Sequence, residues 1–413
     1  MKHIKMQYTY VGVDSHKDTH AAVFLDCFFE KLGEVYFENK PSKFGDFLKK
    51  ADKFKAEGTT LLFGLEDVSD YGRSLMVFLK NKNQSVKHVN SLLVANERKN
   101  QDIAHKTDSF DAECAARVLL TKLNDLPDAD PQDKYWILRT AVMRRNFIVN
   151  NNASLKNHLH TLLTPHYPNY RSFFYNIEGN SSLAFFMRYP SPSTLKGITT
   201  EELADFFYEP SQGKVGFERA KLIMESIEDT TVPFQEIRDE AVRSTIRQLQ
   251  FNMGEIEHLD ASLAKLLDMF GCTLTSMAGL DTVTASQMLS CIGDIKKFPT
   301  PAKLAKYAGV APITYASGKR DMKFANQRGN RELNHLFFDL AVRVSMTFGS
   351  SRKVINPFFY DYYHQKQSEG KTKRQALKCV ERRLVNIIWG MLTYNQEYIN
   401  PPTYNAPKEK TKE

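Results

Sequence analysis

The stretch YTYVGVDSHKDTHAAVFLD, residues 8–26, decides the predicted fold of the N-terminal part of the chain. A first apolar run with the length of a strand ends at Val13, and a second covers Ala21 to Leu25. Asp14 stands at the end of the first run, and further polar residues follow it: His16, Lys17, Asp18 and His20. A buried strand that ends in a carboxylate runs either into a hairpin turn or into a binding site.

Residues 27–125 continue with alternating strand and helix patterns. A third strand is predicted at Glu34–Phe37, a helix begins at Ser42, and the apolar run TTLLFGLEDV forms a buried strand that ends at Glu66. The segments that follow are a helix (YGRSLMVFLKN), a strand (SVKHVN) and a helix that begins near Thr107 (TDSFDAECAARVLL). This order predicts an α/β RNase H-like domain over residues 1–125, with a mixed sheet and helices on its faces.

Four acidic residues stand where a hydrophobic core would not accept them. Asp14 and Glu66 end two strands, whereas Asp108 and Asp111 are three residues apart at the start of a helix and share one face of it. In an RNase H-like layer the two strands are neighbours and the helix packs across them, so the four carboxylates should meet. Mg²⁺ or Mn²⁺ would offset their mutual repulsion and could assist attack on a phosphodiester.

Each acid also has an ordinary explanation. Asp108 and Asp111 could complement the dipole of their helix. Asp14 could be a turn residue of a hairpin, and Glu66 could form a surface pair with Asp67. Taken together in this order of elements, the four acids favour the metal site.

The charge of the chain points to a polyanionic partner. The 413 residues carry a formal net charge of +8, and nine Lys or Arg against two Asp give the segment Asp294–Arg331 a local net charge of +7. Such a segment either binds nucleic acid or forms a solvated basic surface. Five scattered cysteines without a CxxC pair, and the absence of a long apolar run, predict a cytoplasmic protein that does not enter a membrane.

Residues 126–270 are predicted to be mainly helical. Their clearest signal is an apolar seam at alternating steps of four and three residues, which Asp260 interrupts at one position. The pattern predicts a coiled coil, antiparallel or between chains, and the alternative is an ordinary helix packed within one domain. The seam consists of Val242, Ile246, Leu249, Met253, Ile256, Leu263, Leu267 and Phe270.

Residues 271–400 form a third predicted domain, mainly α-helical, before a disordered tail at 401–413. In TPAKLAKYAGVAP, Thr300 caps a short helix and Gly309 lies past its end. A predicted loop, ITYASGKRDMKFANQRGN, precedes a helix that is apolar on one face. The segment MAGLDTVTA looks like half of a helix-hairpin-helix, but Asp281 replaces a usual Gly, so helix packing is expected there rather than phosphate binding.

Three segments, VGVDSHKDTHAAVFLD, FGLEDVSDYGRSLMVFL and KTDSFDAECAARVL, resemble the Asp-Glu-Asp-Asp segments of the insertion sequence 110 family of transposases. The sequence from MAGLDTVTA to RELNHLFFDLA resembles the C-terminal transposase domain of the same family. The resemblance implies a RuvC-like N-terminal domain with Asp14, Glu66, Asp108 and Asp111 as metal ligands. It also implies that Ser317, the serine of the SG pair after GVAP, is the nucleophile.

Around Ser317, basic residues could hold a phosphate. The resemblance further implies target and donor DNA, a structured noncoding (bridge) RNA, and a homo-oligomer, dimer or tetramer, in which one subunit's acids meet another's serine. The location would be the nucleoid DNA of a bacterial or archaeal cell. The basic residues are Lys319, Arg320, Lys323, Arg328 and Arg331.

Other functions remain open on the sequence. A pilin-gene invertase carries the same acids and serine but inverts DNA without moving an element. A metal-dependent junction-resolving nuclease would use the acids alone, and Ser317 would then be a turn residue, as most Ser-Gly pairs are. A degenerate element protein would bind nucleic acid without cutting it.

Overall fold

The computed structural model describes two compact units, Met1–Lys134 and Tyr135–Glu413. The predicted domain boundaries at residues 125, 270 and 400 stay predictions. The described residues are 3–66, 71–101, 107–129, 134–227, 233–317, 320–324, 326, 329–349 and 352–399.

A mixed five-stranded sheet forms the centre of the first unit, with strand order β3-β2-β1-β4-β5. Strand β2 is antiparallel to both of its neighbours, β1 and β3, whereas β1, β4 and β5 run parallel. This is the mixed α/β layer that the sequence predicts. The strands are β1 (Tyr8–Ser15), β2 (Thr19–Leu25), β3 (Lys31–Glu38), β4 (Thr60–Glu66) and β5 (Ser85–Val89), and the helices are α1 (Pro41–Ala51), α2 (Arg73–Asn81), α3 (Ser91–Asn100) and α4 (Asp108–Thr121).

Helices cover both faces of this sheet. Phe44 of α1 and Leu75 of α2 pack against one face, and Val94 of α3 and Ala112 of α4 belong to the core on the other. Helix α3 is absent from the predicted element order, which passed directly from the fifth strand to α4. The apolar face of α3 is narrow, because Val94 is its one buried residue and its second half reads NERKN.

Helix α4 lies directly on β1 because Gly12 has no side chain. A Cβ added to Gly12 would lie 2.0 Å from the carbonyl O of Ala112 and 2.3 Å from the backbone N of Ala116. Gly64 is the register partner of Gly12 on β4, and a Cβ there would meet Val89 at 2.9 Å and Leu119 at 3.1 Å. Two adjacent glycines therefore form a shallow groove in the sheet, and α4 occupies it.

Two long helices of the second unit, α5 (Lys134–Leu163) and α9 (Gln235–Met269), pack antiparallel to each other. Leu138 and Val142, near the start of α5, share a core with Leu263 and Leu267, near the end of α9. In the middle of the pair, Asn252 Nδ2 donates a hydrogen bond to Asn152 Oδ1 at 2.8 Å. The helices that begin this unit are α5 (Lys134–Leu163), α6 (Asn180–Arg188), α7 (Thr200–Ser211), α8 (Phe217–Glu225) and α9 (Gln235–Met269).

This pairing gives the predicted apolar seam a partner within the chain. Leu249 and four other seam residues are buried, and Arg145 of α5 forms a bidentate ion pair with Asp260, the acid that interrupts the seam. An acid can stand in the seam here because its side chain is 34% exposed and pairs with a guanidinium from the facing helix.

In the described remainder of the second unit, five helices pack around a large apolar core. The segment predicted as a loop contains a β-hairpin instead, since its first half, ITYAS, is β-branched and aromatic enough to form a strand. Within the described ranges, none of the helices combines the length and apolar character that a membrane span requires. The elements are α10 (Thr282–Ile292), α11 (Pro301–Tyr307), β6 (Ile313–Ser317), β7 (Arg320–Phe324), α12 (Arg331–Ser345), β8 (Thr347–Phe348), β9 (Lys353–Val354), α13 (Pro357–Ser368) and α14 (Lys373–Tyr394).

The turn before α10 packs against helix α12. The carboxylate of Asp281 accepts a hydrogen bond from the backbone N of Thr284 at 2.7 Å and so caps α10. Arg343 Nη1 lies 3.0 Å from the carbonyl O of Gly279 and 3.1 Å from Asp281 Oδ2. The side chain of Arg343 therefore contacts the polar groups of this turn. This agrees with the expectation that the turn serves helix packing rather than phosphate binding.

Replacing Gly12 by Ala should destabilise the first unit. The new methyl group would overlap backbone atoms of α4, which cannot move aside as a flexible side chain could. We expect a loss of about 3 kcal/mol in the free energy of unfolding, at the upper end of overpacking effects, measured by urea denaturation.

Gly45→Ala is the matched control, because Gly45 lies within α1 with no atom within 4 Å of the added Cβ. There we expect a gain of about 0.5–1 kcal/mol from helix propensity. Equal stability of the Gly12 and Gly45 variants would contradict the close packing of α4 on β1.

Candidate functional site

Two of the predicted acids lie side by side on the sheet. Asp14 and Glu66 are register partners on the parallel strands β1 and β4. Side chains alternate between the faces of a strand, so both point to the same side as Gly12 and Gly64, the side that α4 covers. Asp14 is buried, and Glu66 is half-buried.

The first turn of α4 carries the other two acids. Thr107 caps this helix by accepting a hydrogen bond from the backbone N of Phe110 at 3.2 Å. Ser109 Oγ donates to Glu34 Oε2 of β3 at 2.5 Å, which attaches the start of the helix to the edge strand. Asp108 remains half-exposed, whereas Asp111 is buried. The structure thus brings all four predicted acids to one edge of the sheet.

His16 lies between two of these carboxylates. Its Nε2 atom is 3.0 Å from Asp14 Oδ2 and 3.3 Å from Asp108 Oδ1. The three residues Asp14, His16 and Asp108 each offer a ligand atom, and these atoms lie within 4.8 Å of one another. A ring nitrogen between two acids occupies a position in which a cation would reduce their repulsion.

The hairpin turn that carries His16 is fixed by Asn39. Asn39 Nδ2 lies 3.2 Å from the carbonyl O atoms of both His16 and Lys17, and its backbone N donates to the carbonyl O of Asp18 at 2.9 Å. Asn39 Nδ2 also donates to the carbonyl O of Tyr71 at 3.0 Å. The polar run after Asp14 is therefore an ordered turn beside the carboxylates.

The grouping of these acids disfavours their ionised forms. Burial raises the pKa of Asp14, while His16 lowers it and the neighbouring charges of Asp111 and Asp108 raise it further. Burial also raises the pKa of Glu66, a hydrogen bond with Ser91 lowers it, and the charges of Asp14 and Asp111 raise it. Two strand-end carboxylates are thus held in a place where a bound cation would stabilise them.

His16 and Arg98 belong to the site although the sequence did not single out either as a site residue. Arg98 of α3 lies with its Nη1 atom 3.1 Å from Asp111 Oδ1 and 3.2 Å from Oδ2. His16 had one available signal, its place two residues after Asp14. Arg98 had none, because its helix was itself not predicted.

The donor set fits a divalent cation. Carboxylate oxygens are the ligands of Mg²⁺ and Mn²⁺, and one imidazole is compatible with a transition ion. Asp14, His16 and Asp108 would hold such an ion, while Arg98 already neutralises part of the charge of Asp111.

The predicted nucleophile lies in the second unit. Ser317 is the last residue of β6 and pairs with Arg320, the first residue of β7, at the far end of the hairpin. Lys323 lies in β7, and Arg331 is the exposed first residue of α12. Lys319 and Arg328 lie outside the described residues.

Exposed lysines precede this hairpin. Four of them lie around the short helix α11, and none forms an ion pair with a described residue. Unpaired exposed lysines on one short segment are typical of a surface that contacts phosphates. They are Lys296, Lys297, Lys303 and Lys306.

Comparison with known proteins matches both parts of the chain. A family model described as "Transposase", for the DEDD class of IS110 elements, matches residues 11–168, and the model "Transposase IS116/IS110/IS902 family" matches residues 272–363. The uncharacterized 44.8 kDa protein of insertion element IS116 from Streptomyces clavuligerus is 24% identical over 93% of this chain and 94% of its own length.

Two further known proteins are similar to this chain. The uncharacterized 43.6 kDa protein of insertion element IS110 from Streptomyces coelicolor is 25% identical over 93% of both chains. A pilin gene-inverting protein of Moraxella bovis is 31% identical over 127 residues, which are 30% of this chain and 37% of that protein.

The first unit is an α/β layer with clustered acids, and the second unit matches a transposase model. These features define a DNA transposase or recombinase, a class of protein that binds DNA. The chain belongs to the IS110 family of transposases. Its DEDD type suggests dependence on a divalent metal, for which Asp14, His16 and Asp108 form a candidate site.

Asp14→Asn should stabilise the metal-free protein at pH 7 and remove its response to metal. The folded-state pKa of Asp14 lies above the unfolded value, so its ionised form opposes folding at pH 7. The gain should shrink as the pH falls through the folded pKa of Asp14, and it should vanish below the unfolded value. For the wild type, Mg²⁺ at 100 times its dissociation constant should add about 2.7 kcal/mol to the free energy of unfolding.

Asp18→Asn is the control, an exposed acid of the same hairpin that lies outside the cluster. It should respond to Mg²⁺ as the wild type does in calorimetric unfolding. A full Mg²⁺ response in Asp14→Asn would remove Asp14 from the metal site.

Proposed function

We propose that this transposase cuts and rejoins DNA through a phosphoserine intermediate formed by Ser317, assisted by Mg²⁺ or Mn²⁺ at the Asp-Glu-Asp-Asp cluster. The observation that carries the proposal is that Asp14 and Glu66, paired on β1 and β4, lie near Asp108 and Asp111 of the first turn of α4. Four acids without a cation would be costly there, and phosphoryl transfer is a reaction that uses such a cation.

In the proposed fold assignment, the first unit is an RNase H-like (RuvC-like) layer. The strand order β3-β2-β1-β4-β5, with β2 antiparallel to its neighbours, supports it. The seam of α9 is proposed to act as an antiparallel coiled coil with α5, supported by the buried pairs along both helices. We further propose a dimer or tetramer that acts on nucleoid DNA.

In the proposed reaction, Ser317 Oγ forms a bond to the scissile phosphorus while the bond to a deoxyribose oxygen breaks. The serine loses its proton and the leaving oxygen gains one. The phosphoserine link conserves one phosphodiester bond, so attack by a new DNA hydroxyl restores the serine and rejoins the strand. A divalent cation at the carboxylates would reduce the negative charge that repels the nucleophile.

Recognition of nucleic acid is proposed for the basic segment Asp294–Arg331, including Lys319, Arg320, Lys323, Arg328 and Arg331. The exposed lysines around α11, which form no ion pair with any described residue, support this assignment. Target and donor DNA and a structured noncoding RNA are the proposed ligands, because all present regularly spaced phosphates.

Site-specific inversion of DNA is the second candidate. The 31% identity to a pilin gene-inverting protein over 127 residues favours it. Both candidates use the same acids and the same serine, so they differ in the DNA sites joined rather than in the chemistry proposed here.

Ser317→Ala should abolish both strand cleavage and the covalent protein–DNA product. The substitution removes the proposed nucleophile and leaves every proposed metal ligand in place. The assay incubates each protein with Mg²⁺, labelled DNA that spans the element ends, and RNA transcribed from the DNA flanking the gene. Label that migrates with denatured protein and is released by protease measures the intermediate.

A junction-resolving nuclease gives the opposite result in this assay. If the acids direct water onto the phosphate, Ser317→Ala would release free cut ends at the wild-type yield, and the phosphoserine mechanism would be wrong. Ser276→Ala is a control for serine loss, because Ser276 lies in a 3₁₀ turn of the same unit.

Nucleic-acid binding should weaken steeply with salt, and Lys303→Ala with Lys306→Ala should reduce that dependence. For every lysine that binds a phosphate in the wild type, its removal should lower the slope of log K against log salt by about one. Lys49→Ala with Lys50→Ala removes two exposed lysines from α1 as the charge-matched control. Equal slopes for the two double variants would mean that the lysines of α11 face solvent in the complex.

A further inference from the structure

The hairpin that carries Ser317 needs support from outside itself. Strands β6 and β7 pair with each other and with no other strand of the described chain. An isolated two-stranded hairpin is at best marginally stable in water. The residues at its base therefore decide whether its end, where Ser317 lies, has one fixed position.

Two glycines bring the flanks of the hairpin into backbone contact. Gly309 precedes the hairpin with φ of +69°, and Gly329 follows it. A Cβ added to Gly329 would lie 2.4 Å from both Cα and N of Gly309, and 2.9 Å from the carbonyl O of Tyr307. Side chains larger than hydrogen at residue 329 would separate the two flanks.

Three asparagines that follow the hairpin bind the C-terminal end of helix α11. Asn326 Nδ2 donates to the carbonyl O of Lys306 at 3.0 Å. The backbone N of Asn330 donates to the carbonyl O of Tyr307 at 2.7 Å. Asn334 Nδ2 donates to the carbonyl O of Ala308 at 3.0 Å. The last carbonyls of a helix have no partner within it, so these bonds cap α11 from beyond the hairpin.

The same contacts connect the hairpin base to the helical core. Tyr307 OH donates to the carbonyl O of Cys291 of α10 at 3.2 Å, and Asn330 Nδ2 lies 3.2 Å from that hydroxyl. The ring of Tyr307 packs on Phe298 with centroids 5.0 Å apart. Through Tyr307, the chain on either side of the hairpin is thus attached to the buried residues Cys291 and Phe298.

Geometry makes the serine sensitive to this attachment. From Ile313 to Ser317 the strand extends roughly 13 Å at 3.3 Å per residue. A tilt of about 10° at the base would move the far end by about 2 Å, and misplacement by about 1 Å can cost about 100-fold in rate.

We propose that Gly329 and Asn334 are positioning residues that hold the Ser317 hairpin in its cutting position. The inference rests on the proposed role of Ser317 as nucleophile. The contact of Gly329 with Gly309 and the hydrogen bond from Asn334 to Ala308 would fix the direction of the hairpin. This role is additional to their contribution to folding.

The test compares Asn334→Asp with the wild type in the covalent-intermediate assay at saturating Mg²⁺, RNA and DNA. Aspartate has the size of asparagine but cannot donate to the carbonyl O of Ala308, and an acid near the start of α12 is compatible with its dipole. We expect the rate of covalent-link formation to fall about 100-fold, with DNA affinity and melting temperature close to the wild type. Gly329→Ala should lower the rate at least as much, but with a loss of melting temperature as well, because its Cβ would overlap the backbone of Gly309. Asn334→Asp is therefore the decisive variant.

Gly390→Ala is the matched control, since Gly390 lies within α14 with no atom within 4 Å of an added Cβ. A wild-type rate in Asn334→Asp would overturn the proposal. So would a fall in rate that matches a parallel loss of melting temperature and DNA binding, because the residues would then act through folding alone.

Ser317→Ala, run in parallel, separates this inference from the proposed function. If Ser317→Ala still cleaves DNA, the serine mechanism and the positioning role both fail. If Ser317→Ala is inactive while Asn334→Asp is fully active, the positioning role alone fails.

Discussion

The contact between helix α4 and strand β1 is the constraint on which the first unit depends. Gly12 and Gly64 are neighbours in the sheet: the absence of a side chain at Gly12 allows the backbone of α4 to touch β1, and its absence at Gly64 leaves room for Leu119 of α4. The same strands carry Asp14 and Glu66 two residues further along, on the same face, and α4 carries Asp108 and Asp111 in its first turn. The packing that builds the core therefore also sets the separation of the acids, so a side chain at residue 12 would disturb both.

Assembly of these carboxylates has an electrostatic cost that the protein offsets only in part. Arg98 pairs with Asp111, and His16 bridges Asp14 and Asp108, yet the pKa values of Asp14 and Glu66 remain raised by burial and by the neighbouring acids. A site of this kind gains stability when a cation binds. Such coupling is compatible with a metal-dependent recombinase, since the ion that supports phosphoryl transfer would also stabilise the arrangement that binds it.

Much of the first unit was predictable because its signals are local. Short apolar runs that end in acids identified β1 and β4, and Thr107 marked the start of α4. Helix α3 escaped prediction because it buries little more than Val94, and Arg98 was missed with it. The seam of α9 was visible from its spacing, but its partner α5 was not, because a heptad pattern states what a helix buries and not against which helix. The hairpin of Ser317 is predicted as a loop despite the strand-like ITYAS, because its second strand, RDMKF, is mostly charged and the asparagine contacts at its base leave no periodic pattern.

Anomalous diffraction from crystals grown with Mn²⁺ would locate the metal site, because Mn²⁺ can replace Mg²⁺ at oxygen-rich sites and scatters anomalously. We expect an anomalous peak within about 2.3 Å of an oxygen of Asp14, with Asp108 or His16 as a second ligand. Full occupancy of Mn²⁺ elsewhere, with no peak beside Asp14 at millimolar Mn²⁺, would mean that the acids do not form the metal site. The close packing of α4 on Gly12 and Gly64 would then contribute to folding only.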